Sequence, residues 1–114
     1  MSKRSNHELL VDILECIDKI KRYTQDMSFE QFRGDEKSID AVVRNFEIIG
    51  EAANRVDETI KRKYASVEWR RIIGLRNRIV HEYFGIDLQI IWTIIEENMD
   101  AFKFEIEEII DEVS

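Results

Sequence analysis

The fold of this chain is decided by the stretch Ile39-Asp40-Ala41-Val42-Val43-Arg44-Asn45-Phe46-Glu47-Ile48-Ile49-Gly50-Glu51-Ala52-Ala53. Its apolar side chains recur every three or four residues, which places them on one face of an α-helix. The same face continues on both sides of the stretch, so we predict one helix from about residue 37 to residue 64. Gly50 and the two alanines lie in its middle, where small side chains permit close approach of a neighbouring helix.

The remaining helices follow from the same spacing. We predict a helix over about 6–23, a short helical turn around 29–32, a third long helix over about 67–84 and a fourth over about 88–112. Helix boundaries are marked by the capping-box pairs Ser5 with Glu8 and Ser28 with Gln31, by the expected caps Ser66 and Asp87, and by Gly85 as the close of the third helix. Short connections favour an all-α fold, an up-down four-helix bundle with a short extra helix, in one domain over residues 1–114.

Composition narrows the class of protein. The 114 residues are 44% hydrophobic and 36% charged, with no proline and four glycines, which is typical of a soluble helical domain. No apolar run approaches the roughly 18–20 residues that a membrane span needs, and the first residues have no signal-peptide core. Cys16 is the only cysteine, which excludes an internal disulfide and thiolate metal clusters. We therefore expect a cytoplasmic protein without a membrane partner, a metal or a cofactor.

The net charge of −7 argues at first against a nucleic-acid ligand, but the charge is unevenly distributed. Residues 60–81 carry seven basic groups against one acidic group, a net of +6, and residues 82–114 carry one basic group against ten acidic groups, a net of −9. Local potential steers a polyanion to a surface more than total charge does. The basic band either binds RNA or pairs with the acidic last helix, and the two roles are compatible.

The band ends inside the segment that is richest in chemistry, Arg76-Asn77-Arg78-Ile79-Val80-His81-Glu82-Tyr83. An arginine can hold a phosphate with its planar fork of donors, and a histidine can move protons near neutral pH. A helix turns about 100° per residue, so Arg76 and Tyr83 share a face, whereas Arg76 and His81 are roughly 140° apart. Either the helix loosens near Gly85, or a second chain completes the site.

A second chain is also indicated by the fourth helix, where Ile90, Ile91, Trp92, Ile94 and Ile95 cover more than half of the circumference. A bundle of this size leaves part of that surface in water, and large exposed apolar patches usually mark an interface. We therefore expect a homodimer. Two copies supply two imidazoles, so one can take the proton of an RNA 2′-hydroxyl while the other protonates the leaving oxygen.

Each of these residues also has a plainer interpretation. His81 could simply complement the negative end of its helix, and Asn77 could have a structural role. Arg70 and Arg71 are candidate contacts for the RNA backbone, or they pair with surface glutamates. On the second helix, the charged residues Arg44, Glu47 and Glu51 could form intrahelical pairs, or they could line the groove.

The segment from Arg76 to Tyr83 resembles the signature of the HepT-like toxins of the HEPN superfamily, namely Arg, four residues, His, one residue and Tyr. Residues 44–53, Trp69 and residues 85–87 match the flanks of that pattern. The resemblance implies an all-helical, dimeric, metal-independent endoribonuclease toxin in which Arg76 and His81 match the catalytic pair and Asn77 the polar position that follows.

The resemblance also implies a partner, because the antitoxin of this family is a minimal nucleotidyltransferase that transfers AMP to the tyrosine of the motif, here Tyr83. A phosphate attached there would neutralise and crowd the RNA-binding groove. The competing hypothesis is a non-catalytic helical adaptor that binds a nucleotidyltransferase or a nucleotide. The two hypotheses differ in their prediction for His81→Ala. A ribonuclease loses RNA cleavage on this substitution, whereas an adaptor has no RNA cleavage to lose.

Overall fold

Residues 39–53 lie in the central helix of the fold. The computed structural model describes residues 4–81 and 86–113, and every regular element in these ranges is a helix. In chain order these are α1 (Asn6–Thr24), α2 (Phe29–Arg33), α3 (Glu36–Arg55), α4 (Glu58–Lys63), α5 (Trp69–His81), α6 (Leu88–Glu97) and α7 (Met99–Val113). The predicted all-α fold is confirmed, with α3 and α4 in place of the predicted second helix and α6 and α7 in place of the fourth.

The first helices begin where the sequence predicts. The Ser5 side chain accepts a hydrogen bond from the backbone N–H of Glu8, whose carboxylate accepts one from the N–H of Ser5. The same reciprocal pair joins Ser28 and Gln31 before α2. Asp87 caps α6 through Gln89 N–H at 2.9 Å. These bonds satisfy backbone donors that a helix start leaves without partners.

The core lies along α3, which packs between α1 on one side and α5 on the other, while α1 also packs against α7. Asn6 at the start of α1 meets Asp57 just after α3, so these two helices run antiparallel. The largest side chains that are completely buried are Phe32, Leu10, Ile13, Ile17, Ile20, Ile49, Ile79, Ile91, Met99, Ile106 and Ile109. They come from six of the seven described helices, so the core is shared by nearly all of them.

Gly50 is where α3 and α5 approach most tightly. A Cβ atom built at Gly50 would lie 2.1 Å from Arg76 Cβ and 3.2 Å from the carbonyl oxygen of Ile72. Both neighbours belong to α5, so any side chain at Gly50 would push the two helices apart. The predicted role of this small residue as a point of close helix approach is confirmed.

The prediction of one continuous helix over residues 37–64 is wrong. The backbone leaves the helical conformation at Val56, with φ −63° and ψ 139°, and α4 begins only at Glu58. At the break, Asp57 N–H donates to Asn6 Oδ1 at 3.0 Å and Asn6 Nδ2 donates to Asp57 Oδ2 at 2.9 Å. This long-range pair replaces the local backbone bonds that a continuous helix would make.

Two further boundaries differ from the prediction. The fourth helix is divided at Asn98, whose N–H still bonds to Ile94 O and whose φ of −117° departs from helical geometry. Ser66 does not cap the third helix, because α5 begins at Trp69 and its first carbonyl acceptor is Glu68. The expected end of that helix at Phe84 and Gly85 lies outside the described residues.

None of the described helices is long and apolar enough to cross a membrane.

Candidate functional site

Helix α5 contains the candidate catalytic residues Arg76 and His81, and its buried side fixes its orientation. Trp69 and Ile79 are buried in the core, and the indole N–H of Trp69 donates to the carbonyl oxygen of Tyr64 at 3.1 Å. With one face anchored, the remaining positions of a regular helix have set directions. Asn77, Val80 and His81 are thereby turned outward, and each is exposed.

Arg76 lies at the edge of the buried face, with its side chain 31% exposed. Its Nη2 atom is 3.0 Å from Glu51 Oε2 on α3, and its Nη1 atom donates to Asn77 Oδ1 at 3.2 Å. Its Nε atom is buried and has no hydrogen-bond partner. The guanidinium is therefore held at two of its three nitrogens and keeps further N–H groups available.

His81 is the last residue of α5 and is exposed, and no hydrogen bond or ion pair joins its imidazole to the described residues. The helix remains regular through this position, so the roughly 140° between Arg76 and His81 holds within one chain. Loosening of the described part of α5 does not bring the two side chains together. Val80 lies between them on the outer surface and is 43% exposed.

The two candidate RNA-binding arginines point to different sides of α5. Arg70 is exposed and, by helical geometry, lies within roughly 20° of the lines of Asn77 and His81. Arg71 lies about 100° further around the helix, where it pairs with Glu68 at 2.9 Å and lines an apolar groove. The structure therefore groups Arg70 with His81 and Asn77, and separates Arg71 from them within one chain.

Arg76 forms part of the wall of a small polar groove of about 270 Å³ between α3, α5 and the start of α1. The charged residues of this groove are Arg4, Arg44, Arg55 and Arg76, with Asp12, Glu47 and Glu51. Four cations against three carboxylates leave a small positive excess. In the described part of the chain the guanidinium of Arg55 has no hydrogen bond or ion pair, so its charge is available to a ligand.

A second, larger groove of about 630 Å³ opens on the other side of α5, towards α6 and α7. Its walls are mostly apolar, with Ile72, Leu75, Ile94 and Phe102 among the lining residues. Glu105 also lines it, and burial raises the pKa of that carboxyl despite a hydrogen bond from Ser66. The apolar excess predicted for the fourth helix is thus only partly exposed, because Ile90 and Ile94 line this groove whereas Ile91 and Trp92 are buried in the core.

The basic band of residues 60–81 is only partly available to a polyanion. Lys61 is buried, and its Nζ atom donates to the carbonyl oxygen of Asn54 at 3.1 Å, in the last turn of α3. Lys63 pairs with Glu112 of the acidic last helix at 3.4 Å. The predicted pairing with the acidic last helix is therefore confirmed for Lys63, whereas Arg70 faces outward and Arg76 lines a groove, so RNA binding by these two arginines stays a prediction.

Glu51 lines the small polar groove, which is one of the two roles that its sequence position leaves open. Glu47 does pair with Arg44 along α3, as predicted, but Glu51 pairs across helices with Arg76. The signal was the glycine at position 50, because a glycine in mid-helix marks the face that a neighbouring helix approaches. Tyr83, the candidate modification site, lies outside the described residues. Within the described ranges no cluster of His, Cys, Asp and Glu has the arrangement of a metal site.

Comparison with known proteins places this chain in a family. A family model described as "Ribonuclease HepT-like" matches residues 13–109. The chain is 36% identical over 107 residues to a "Probable ribonuclease HepT" of Thermococcus cleftensis, covering 94% of this chain and 97% of that protein. It is 40% identical over 113 residues to a putative RNase of Methanocaldococcus jannaschii, covering 99% and 93% respectively.

A third relative, a putative RNase of Caldanaerobacter subterraneus subsp. tengcongensis, is 36% identical over 96 residues, covering 84% of this chain and 85% of that protein. No solved structure gives a significant match. The family description and the relatives' names support a ribonuclease function. On the extent of these matches, the chain belongs to the ribonuclease HepT-like family.

Proposed function

We propose that this chain is a metal-independent endoribonuclease toxin that acts as a homodimer with the two α5 helices at the dimer axis. The observation that carries the proposal is the outward face of α5, where Asn77, Val80 and His81 are exposed beside the partly buried Arg76. A two-fold axis along this face would cover Val80 and place two guanidiniums and two imidazoles around one cleft.

The cleft would cleave RNA by transferring the phosphoryl group from the 5′-oxygen to the 2′-oxygen within the substrate. The 2′-hydroxyl oxygen attacks the adjacent phosphorus while one His81 takes its proton, and the 5′-oxygen leaves with a proton from the His81 of the second copy. The products are a 2′,3′-cyclic phosphate end and a 5′-hydroxyl end, so atoms and protons balance without added water. The guanidinium of Arg76 would stabilise the additional negative charge on the pentacoordinate phosphorus.

Cleavage of a single-stranded RNA in the presence of EDTA tests the chemistry. We expect the wild-type protein to remain active, and His81→Ala to be slower by about 10²–10⁴-fold, the usual contribution of a general acid or base. His7→Ala is the matched control, because His7 is the other histidine and is exposed on α1. Equal rates for wild-type protein and His81→Ala would assign the activity to a contaminant.

The oligomeric state is tested on Val80, which is 43% exposed and can be changed without disturbing the core. Light scattering of Val80→Glu should give the mass of one chain, 13.6 kDa, where the wild-type protein gives twice that mass. Phe104→Glu, at a 61% exposed position on α7, is the control that should remain dimeric. A wild-type monomer that cleaves RNA would refute the shared site.

Control by a nucleotidyltransferase antitoxin completes the proposal, with Tyr83 as the acceptor of AMP. Coexpression with the nucleotidyltransferase of the same gene pair should add whole AMP units to the intact mass and abolish RNA cleavage. Tyr83→Phe should prevent the addition, whereas Tyr23→Phe, at an exposed position on α1, should not. A complex that is silenced but unmodified would favour inhibition by binding alone, which is what the adaptor hypothesis requires.

A further inference from the structure

Arg76 has a partner whose role in the proposed reaction is unassigned. Glu51 Oε2 lies 3.0 Å from Arg76 Nη2, across the contact between α3 and α5. On its other side the guanidinium donates to Asn77 Oδ1 at 3.2 Å. With the buried Nε atom facing the protein, these two contacts fix the plane of the guanidinium and the direction of its remaining N–H groups.

Glu51 makes this contact although a more local partner exists. Arg55 follows Glu51 by four residues on the same helix, which is the favoured order and spacing for an intrahelical pair. In the described part of the chain the guanidinium of Arg55 has neither an ion pair nor a hydrogen bond, and the Glu51 carboxylate contacts Arg76 on α5 instead. The close approach at Gly50 makes this possible, because it brings Arg76 against the backbone next to Glu51.

Stability does not explain the arrangement. The side chain of Glu51 is 49% exposed, and ion pairs with such exposure contribute little to the free energy of folding. The carboxylate also offsets the positive charge that Arg76 would offer to a phosphate, which lowers ground-state attraction. The pair does fix the orientation of the Arg76 guanidinium. Orientation matters for rate, because a misplacement of about 1 Å at a reacting centre can slow a reaction by about 10²-fold.

We infer that Glu51 is a positioning residue, which aims the guanidinium of Arg76 at the scissile phosphate. The expected effect on the rate of RNA cleavage depends on the proposed ribonuclease function. The expected effect on the orientation of the Arg76 guanidinium does not. Glu51 touches Arg76 and is not required to touch RNA. Its loss should therefore reduce kcat more than it changes KM.

The kinetic test compares three variants. Glu51→Ala should lower kcat by about 10-fold or more while KM changes by less than about 3-fold. Glu51→Gln should recover most of the rate, because a neutral amide oxygen still accepts a hydrogen bond from the guanidinium. Glu30→Ala, which removes an exposed ion pair with Arg33 on α2, should match the wild-type protein. A faster Glu51→Ala enzyme, or one that binds RNA more tightly, would show that Glu51 competes with the substrate and would overturn the inference.

A second test does not depend on activity. The Nε–H group of Arg76 is buried, so its NMR signal, assigned with Arg76→Lys, should exchange slowly with water in the wild-type protein. In Glu51→Ala the signal should exchange faster or broaden, whereas in Glu30→Ala it should be unchanged. An unchanged signal in Glu51→Ala overturns the positioning role. A changed signal in a protein without RNase activity would support the positioning role while the proposed function fails.

Discussion

Substituting Gly50 with alanine should disturb both the fold and the site. The added Cβ would lie 2.1 Å from Arg76 Cβ, and real Cβ contacts are essentially never below 3.0 Å. The two atoms must therefore separate by about 0.9 Å to reach that limit and by about 1.3 Å for ordinary contact. Neither atom belongs to the flexible end of a side chain, so α3 and α5 themselves have to move.

The size of the effect follows from two opposing terms. Forcing an extra methyl group into a packed contact costs typically 1–3 kcal/mol, or about 2 kcal/mol here. Replacing glycine by alanine inside a helix by itself stabilises the folded state by about 0.5–1 kcal/mol. We expect Gly50→Ala to lower the free energy of unfolding by about 1–2 kcal/mol, and to reduce RNA cleavage because Arg76 is displaced.

Urea unfolding followed by far-UV circular dichroism measures this difference. The matched control is Gly74→Ala on α5, where a Cβ would meet no atom within 4 Å outside its own helix backbone. The control should be more stable than the wild-type protein by about 0.5–1 kcal/mol, since only the helix-propensity gain remains. If both substitutions stabilise the protein equally, the tight contact between α3 and α5 does not exist and the reasoning is refuted.

Three other perturbations have defined outcomes. Ser5→Ala should cost about 1 kcal/mol of unfolding free energy, as loss of a helix cap usually does. The pKa of Glu8 is lowered mainly by the backbone N–H of residue 5, so this contribution is complete at neutral pH and is lost as the pH falls through the folded-state pKa; because Ser5→Ala keeps that N–H, urea titrations between about pH 5 and pH 2 should show nearly the same decline for Ser5→Ala as for the wild-type protein. Lys61→Met should cost about 1–2 kcal/mol in the same assay, because the carbonyl oxygen of Asn54 loses a charged donor; no loss would mean that solvent replaces the lysine. Phe32→Ala should cost about 3–5 kcal/mol and change the fluorescence of Trp92, whose ring lies 5.2 Å away; an unchanged emission spectrum would contradict the stacking.

The sequence predicts the helices well because the evidence for a helix is local. Spacing of apolar residues and capping pairs within four positions suffice for α1, α2 and the body of α3. The break after α3 is different, since it depends on hydrogen bonds between Asn6 and Asp57, which are 51 positions apart. No local pattern contains that information, so a continuous apolar stripe predicts one helix where the structure has two.

The candidate site shows the same division. Helical geometry alone separates Arg76 from His81 by roughly 140°, and the regular course of α5 agrees with this. The partner of Arg76 was not predictable in the same way, because Glu51 lies on another helix, where Arg55 is a more local partner for its carboxylate. A choice between a local and a distant partner depends on how closely two helices pack, which becomes visible only in three dimensions.

The reciprocal bonds between Asn6 and Asp57 have a consequence for how the molecule opens. They fasten the first turn of α1 to the hinge between α3 and α4, so these distant segments should behave as a single cooperative unit. Transient fraying of the first turn of α1 would then loosen α4, the lysine- and arginine-rich helix that follows Asp57. Hydrogen exchange in the first turn of α1 should therefore be coupled to the position of the basic residues of α4.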